Sequence, residues 1–385
     1  MSVESTPRSD SGVMPDVVAR GGGPRRARPM GLHVSYEQDL RLFPESGGRV
    51  GMAILVVVVL AAPFMLEDFP LVILNYSAIA AIGAIGLNLL TGYTGQVSLG
   101  HAFFIGLGAY TAGYFGGEAT SNAGGLGLPF IVWIPLAGLL GALVGAIIGP
   151  FALRLKGLYL AIVTLGLVFV GEHLFVNLDA VTGGPRGRPI PPPEIGGLSF
   201  FDIGGLSSDQ SFYYLVVPLL ALLALLAKNL ARTRAGRAFQ AIRDREIAAA
   251  IIGVDLFRYK VAAFVVSSAF AAIAGALYGS YVRFVVPTNF SLFLSIQYVA
   301  MIIVGGIGTI FGSILGALFI TAMPLVIERF SGSIPFLEGG LLRVSDLNNI
   351  LFGLLIVVFL VFEPFGMAGL WRRAKIYFKA WPFSY

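Results

Sequence analysis

Gln96, Ser98 and His101 follow a glycine-bounded interruption, Thr91-Gly92-Tyr93-Thr94-Gly95-Gln96, in an otherwise apolar stretch. A break of this kind frees backbone amides. A helix restarting near Val97 would turn its positive end toward whatever lies in the gap, with Ser98 and His101 three residues apart on one face. That is chemistry for holding a small carboxylate, as at the broken helices of membrane carriers. The plainer outcome is that Ser98 satisfies the break internally and His101 bonds between helices. Hydrolysis by a Ser/His pair is not supported, because no acid lies close by and the Gly-x-Ser-x-Gly elbow is missing. A second interruption, Gly305-Gly306-Ile307-Gly308-Thr309, splits another apolar run.

Two further groups carry charge. Residues 236–255 (GRAFQAIRDREIAAAIIGVD) read as one short helix stopped by Gly253. Phe239, Ile242, Glu246 and Ala249 recur on one face, and Arg234, Arg237, Arg243 and Arg245 spread around the rest. Such a helix suits docking into a groove on a partner. It equally suits a solvated basic loop, or a helix lying on anionic lipid. Glu172, beside His173, is the acid placed well inside an apolar run; an ion pair or an interfacial position explains it more simply than a proton relay. No nucleophile set or metal-ligand set emerges: cysteine is absent, and His33, His101 and His173 are far apart. No lysine follows a glycine, so the phosphate-binding Gly-Lys-Ser/Thr loop is missing too.

The elements that must position these residues are membrane spans. Of 385 residues, 56% are hydrophobic and only 12% charged, against roughly 25% charged in a typical soluble chain, and the mean hydropathy is +0.83. A water-soluble fold is excluded. Crossing a core of about 30 Å takes about 20 apolar residues, and candidates fall at 50–66, 71–90, 97–115, 129–150, 157–178, 212–228, 260–281, 291–307, 310–327 and 346–362. With the N-terminus inside, twenty-one of the 26 basic residues lie on cytosolic segments, as the positive-inside bias requires. The fold class expected is therefore all-α: a polytopic integral membrane helical bundle of about ten transmembrane helices with both termini cytosolic. Residues 1–48 read as a disordered cytosolic tail, 49–370 as the membrane domain, and 371–385 as a basic cytosolic tail. The first apolar run reads as an uncleaved span rather than a leader. The longest cytosolic loop is 229–259 and the longest outer loop 179–211, where Arg186 and Arg188 are either solvated or paired with acids on a partner. Non-helical backbone at membrane depth survives only when buried in protein or lining a wet cavity, so Gly95, Gln96, Ser98, His101, Gly305 and Gly306 are expected either packed inside the bundle or along a translocation pathway. Small residues four apart, Gly141/Gly145/Gly149, Ala271/Gly275/Gly279 and Gly312/Gly316, are packing stripes first.

Five blocks follow one another in a recognisable order: 92–110 (GYTGQVSLGHAFFIGLGAY), 154–166 (RLKGLYLAIVTLG), 182–187 (TGGPRG), 234–253 (RAGRAFQAIRDREIAAAIIG) and 304–317 (VGGIGTIFGSILGA). Together they resemble the Liv-type permeases of branched-chain amino acid ABC importers, across roughly residues 50–370. The resemblance implies a transport subunit without its own ATPase, in the cytoplasmic membrane of a bacterium or archaeon. ATP and Mg would be bound by two cytosolic partner subunits; a second related permease, an extracytoplasmic solute-binding protein and membrane lipid complete the partners, with no nucleic acid. It also implies that Arg237, Ala241, Ile242, Glu246, Ala249 and Gly253 couple the chain to the ATPase. Permeases for urea or short amides share these motifs. An ion-coupled secondary amino acid transporter is the competing class.

Overall fold

The computed structural model describes residues 46–119, 124–152, 157–195, 198–199, 205–330, 350, 353–354, 356–359, 361–363 and 365–380. The chain divides into two units, Met1–Val59 and Leu60–Tyr385. The first holds the beginning of helix α1 (Ser46–Met65), and the expectation for residues 1–48 lies outside the described residues up to position 45.

Two long helices organise the second unit, α2 (Asp68–Thr94) and α10 (Leu256–Val282). Each has 27 residues, about 40 Å at 1.5 Å per residue. Both are apolar nearly all round, which places a helix in an interior rather than at a surface. From Ala78 to Gly86, α2 consists of Ala, Gly and Ile and is buried throughout. Around these two stand α3 (His101–Gly116), α4 (Phe130–Ala152), α5 (Leu158–Asn177), α7 (Ser208–Arg232), α11 (Leu292–Gly305) and α12 (Ile310–Phe330). The short α6 (Asp179–Thr182) lies between α5 and α7, α8 (Arg234–Asp244) and α9 (Glu246–Ile251) between α7 and α10, and α13 (Gly366–Ala380) follows α12. Peripheral helices turn apolar ridges outward, among them Leu139, Leu143 and Ile147 on α4 and Leu222, Leu225 and Leu226 on α7. Apolar surface this continuous belongs against lipid or another protein, not water.

Among the described residues, six helices are long and apolar enough to cross a membrane: α2, α4, α5, α7, α10 and α12. Two shorter apolar helices, Val56–Met65 and Leu292–Gly305, accompany them. The expected span 97–115 becomes α3, with 16 residues, about 24 Å long, because residues 95–100 stay non-helical. Candidate 346–362 is described only in pieces, at 350, 353–354, 356–359 and 361–362, all of them helical. The expected tail 371–385 begins inside α13, whose Ala368 is buried while Arg372, Arg373 and Lys375 are exposed.

The small-residue stripes do pack helices. α3 and α10 cross backbone to backbone: a methyl group on Gly108 would lie 1.9 Å from the Ala272 carbonyl oxygen, and one on Gly275 would lie 1.8 Å from that of Ile105. Gly141 and Gly145 meet Ser268 of α10, and Gly316 meets Met301 of α11.

At the loop end, α7 starts with a reciprocal cap. The Ser207 amide donates to Gln210 Oε1 at 3.0 Å and the Gln210 amide to Ser207 Oγ at 3.3 Å, satisfying two of the free donors of a helix N-terminus. This start shortens the expected loop 179–211. The Tyr281 hydroxyl donates to Asp209 Oδ1 at 2.6 Å, and the Asn75 amide to the Asp209 carbonyl at 3.0 Å, tying α10 and α2 to the head of α7. Strand β1 (Arg188–Pro189) pairs antiparallel with β4 (Phe284–Val285), Arg188 opposite Val285; β2 (Glu194–Ile195) and β3 (Leu198–Ser199) form a second two-stranded ladder.

Arg188 is neither solvated nor presented to a partner. It is 2% exposed, and its guanidinium donates to the carbonyls of Val181 and Gly124. Burial pushes it below the ordinary arginine range, opposed in part by Tyr114 and Tyr110, and it stays charged at neutral pH. Arg188→Met should therefore strip the partly exposed Val181 and Gly124 carbonyls of their charged donor and loosen the outer loop, each lost bond costing about 1 kcal/mol. Limited proteolysis read by mass spectrometry should find faster cleavage between positions 179 and 206; an unchanged rate would mean the side chain pins nothing.

Candidate translocation and coupling sites

The glycine break lies between the end of α2 and the start of α3. Gly95 takes the left-handed conformation, φ +73°, and its amide bonds the Thr91 carbonyl, ending α2. The amides released beyond it are taken by hydroxyls of the same chain. Leu99 donates to Thr164 Oγ1 at 3.0 Å, Gly100 to Ser98 Oγ at 3.3 Å, and Ala102 to Ser295 Oγ at 2.9 Å. The broken segment is thus held by α5 and α11, and the internally satisfied alternative describes Ser98. Gln96, Ser98 and His101 are 5%, 4% and 3% exposed. Two polar atoms remain without partners there, Gln96 Oε1 and His101 Nε2. The His101 ring lies 4.9 Å from that of Tyr298. This buried polar cluster is closed in the state described, with acceptor capacity left unused at its centre.

Gly305 and Gly306 sit elsewhere. A methyl on Gly305 would be 2.0 Å from the Gly312 carbonyl oxygen, and Gly306 (φ +123°) lies against Phe365 and Ala368. The structure packs both glycines inside the turn between α11 and α12 and does not join them to His101.

What links the two breaks is Asn88, which the sequence reading passed over. It is fully buried. Its amide donates to the Thr309 carbonyl at 2.9 Å and to Ser313 Oγ at 2.7 Å, and its Oδ1 accepts from the Gly308 amide at 2.8 Å. The available signal was an amide inside an apolar run, since polar side chains in spans are retained for bonding or function.

Between α7 and α10 the expected single helix is two. Arg245 is extended (φ −156°, ψ 107°), separating α8 from α9. Ala238, Phe239 and Ile242 of α8 and Ala249 of α9 are buried, so the face expected to dock outward is spent on the chain's own bundle. Glu246 is held by Lys260, which is 6% exposed. Arg237, exposed, donates to the Arg232 carbonyl at 3.1 Å, and Ala241 is half-buried. Gly253 (φ +88°) closes α9: its amide bonds the Ala250 carbonyl and that of Val254 bonds Ala249, the paired pattern of a Schellman stop. The outward face carries Ile247, Ile251 and Ile252, which are 77%, 80% and 75% exposed. Their signal was the i, i+4 pair Ile247/Ile251 on the side of α9 away from Ala249.

Lipid-length helices around a glycine-broken polar interior, with a short apolar-faced helix pair projecting between two of them, define a polytopic membrane transport component. Residues 69–360 match the family described as "Branched-chain amino acid transport system / permease component", and the chain belongs to that family. It is a multi-pass permease of the bacterial inner membrane, of the ABC-importer kind.

Relatives agree along most of the sequence. The chain is similar to the high-affinity branched-chain amino acid transport system permease protein LivM of Escherichia coli, 35% identical with 76% of this chain and 72% of the relative covered. A probable LivM of Methanocaldococcus jannaschii is 27% identical, covering 78% and 93%. The autoinducer 2 import system permease protein LsrC of an Enterobacter species is 30% identical, covering 56% and 60%. No solved structure matches.

Proposed function

We propose that this chain carries branched-chain amino acids inward, paired with a second related permease and driven by two cytosolic ATP-binding subunits, with a solute-binding protein delivering cargo at the loop end. In this reading α8 and α9, like both termini, face the cytosol, and the motor pushes on α9. The observation that carries it is the exposed isoleucine face of α9. Three large apolar side chains at 75–80% exposure, two on a six-residue helix and one at its C-cap, are held by the Gly253 stop and the Glu246–Lys260 pair. A rigid element anchored at both ends by spans transmits displacement instead of absorbing it. Arg237, Ala241, Ile242, Glu246, Ala249 and Gly253 then divide their work: Ile242, Ala249 and Glu246 brace the element, Gly253 ends it, and Arg237 and Ala241 flank the contact. Gln96, Ser98 and His101, with Gly95, become the pathway when the bundle opens, and Gly305 and Gly306 allow α12 to shift.

Replacing Ile247 and Ile251 together by Asp puts two charges into the apolar contact. In proteoliposomes holding the whole complex, ATP-driven leucine uptake should fall by about tenfold or more, since burying an unpaired charge is costly, and the ATP-binding subunits should copurify poorly. Full uptake with normal copurification would remove the docking role. Uptake that follows an ion gradient and ignores ATP would replace the ABC mechanism with a secondary one.

A further inference from the structure

Arg243 occupies the last turn of α8, and its surroundings are not those of a solvated basic residue. Its Nη1 donates to the carbonyl of Gly92. That carbonyl belongs to the last turn of α2, where no intrahelical donor remains: the Gln96 amide that would have reached it bonds Leu90 instead. A cation at a helix C-terminus also meets the negative end of the helix dipole. The same Nη1 lies where a methyl on Gly308 would come within 2.5 Å, and the Arg243 Cα and Cγ stand 3.5 Å from the position a Gly95 methyl would take. One side chain from the α8–α9 element therefore touches both glycine breaks. Beneath it, Gly92 and the Gly308 amide come close because neither residue carries a side chain, and Asn88 Oδ1 fills the space a Gly92 methyl would take while accepting from that amide. Ile242, the neighbour of Arg243, is buried in the bundle, so α8 cannot shift without carrying the guanidinium with it.

We propose that Arg243 is a positioning residue for transport: it converts displacement of α8–α9 into simultaneous movement of the breaks at Gly92–Gly95 and at Gly308. The proposal rests on the reading of α9 as the motor contact. The path runs from the exposed isoleucines through α8 and Arg243 to the end of α2, then along residues 95–100 to His101. Glycine on the receiving side is what lets a guanidinium lie directly on backbone, so that the push acts on main chain and not on a yielding rotamer.

The test compares Arg243→Ala and Arg243→Lys with the parent in proteoliposomes containing the complete complex, solute-binding protein and leucine as probe. ATP hydrolysis, leucine taken up per ATP, and maleimide labelling of a Leu99→Cys reporter are measured together; the chain has no cysteine of its own, so label on this chain, resolved from its partners by gel, reads position 99 alone. In the Ala variant hydrolysis should continue while uptake per ATP falls about tenfold, the usual scale of a coupling free energy, and turnover should no longer raise labelling at 99. The Lys variant, which keeps a cationic donor for the Gly92 carbonyl, should recover part of the loss. Uptake per ATP in the Ala variant equal to the parent's overturns the proposal. So does loss of the ATP-binding subunits from the purified variant, which would make Arg243 part of assembly, and so does a Lys variant no better than Ala. A parent complex whose uptake ignores ATP overturns the motor reading itself, and shows it before any variant is compared.

Discussion

Gly275→Val is expected to abolish folded protein. The added Cβ would lie 1.8 Å from the Ile105 carbonyl oxygen, 2.6 Å from its carbon and 2.8 Å from its Cα. None of those atoms can rotate away. Overpacking a core ordinarily costs about 1–3 kcal/mol because side chains and backbone adjust, but here α3 and α10 touch main chain to main chain and must separate. Separation would also pull α3 away from the hydroxyls of Ser295 and Thr164 that hold the break. Fluorescence-detected size exclusion in mild detergent should show no monodisperse peak for this variant. Gly166→Ala is the control: nothing lies within 4 Å of its Cβ position, and alanine should favour the helix by about 1 kcal/mol. A normal peak for Gly275→Val would mean that the crossing is looser than its geometry.

Asn88→Leu is expected to lower stability by about 2 kcal/mol and to uncouple the two breaks. The hydrogen-bond values of soluble proteins would put the loss of three buried bonds well above this, at about 1–3 kcal/mol for each orphaned group. In membranes the average is nearer 0.6 kcal/mol per bond, because the unfolded helices also find partners. The lower figure is the one to use here, since Asn88, Ser313 and Thr309 are all on membrane helices or the turn joining them. The thermal midpoint should fall, and leucine uptake should fall further than stability alone explains, because the Gly308 amide loses its acceptor. Asn88→Ser, which keeps a hydroxyl donor and acceptor, should be milder than leucine. Equal midpoints for Asn88→Leu and the parent would remove Asn88 as the clamp.

The two expectations differ in how visible their causes were. The GxxxG-like stripe through Gly275 was readable as packing because period-four small residues do little else in an apolar helix. Its partner was not readable, because nothing in a sequence pairs Gly275 with Ile105 across 170 positions. Asn88 was overlooked beside the louder Gln96, Ser98 and His101, although an amide inside a span is itself a signal. The α8–α9 element was found at the right place with the wrong outer face. Periodicity detects an apolar side, but both sides here are apolar in part, and only packing shows that Phe239, Ile242 and Ala249 go inward while Ile247 and Ile251 stay out. Arg188 shows the reverse case. A basic residue in a Pro- and Gly-rich loop suggests solvent, yet it lies buried on two carbonyls.

From the residues alone came the membrane, the helical class, the break at 305–309 and the lack of a phosphate-binding loop. These follow from composition and from short-range backbone rules, which act over a few neighbours and are written locally. The first break, expected at 91–96, falls at 95–100 because the helix continues through Thr94. Tertiary structure decided which amides of the break were already satisfied, which face of α9 is free, and that Arg243 reaches Gly92 from 151 positions away. Those outcomes depend on which helices touch, and contact between distant segments is set by the fit of whole surfaces, which no local pattern encodes.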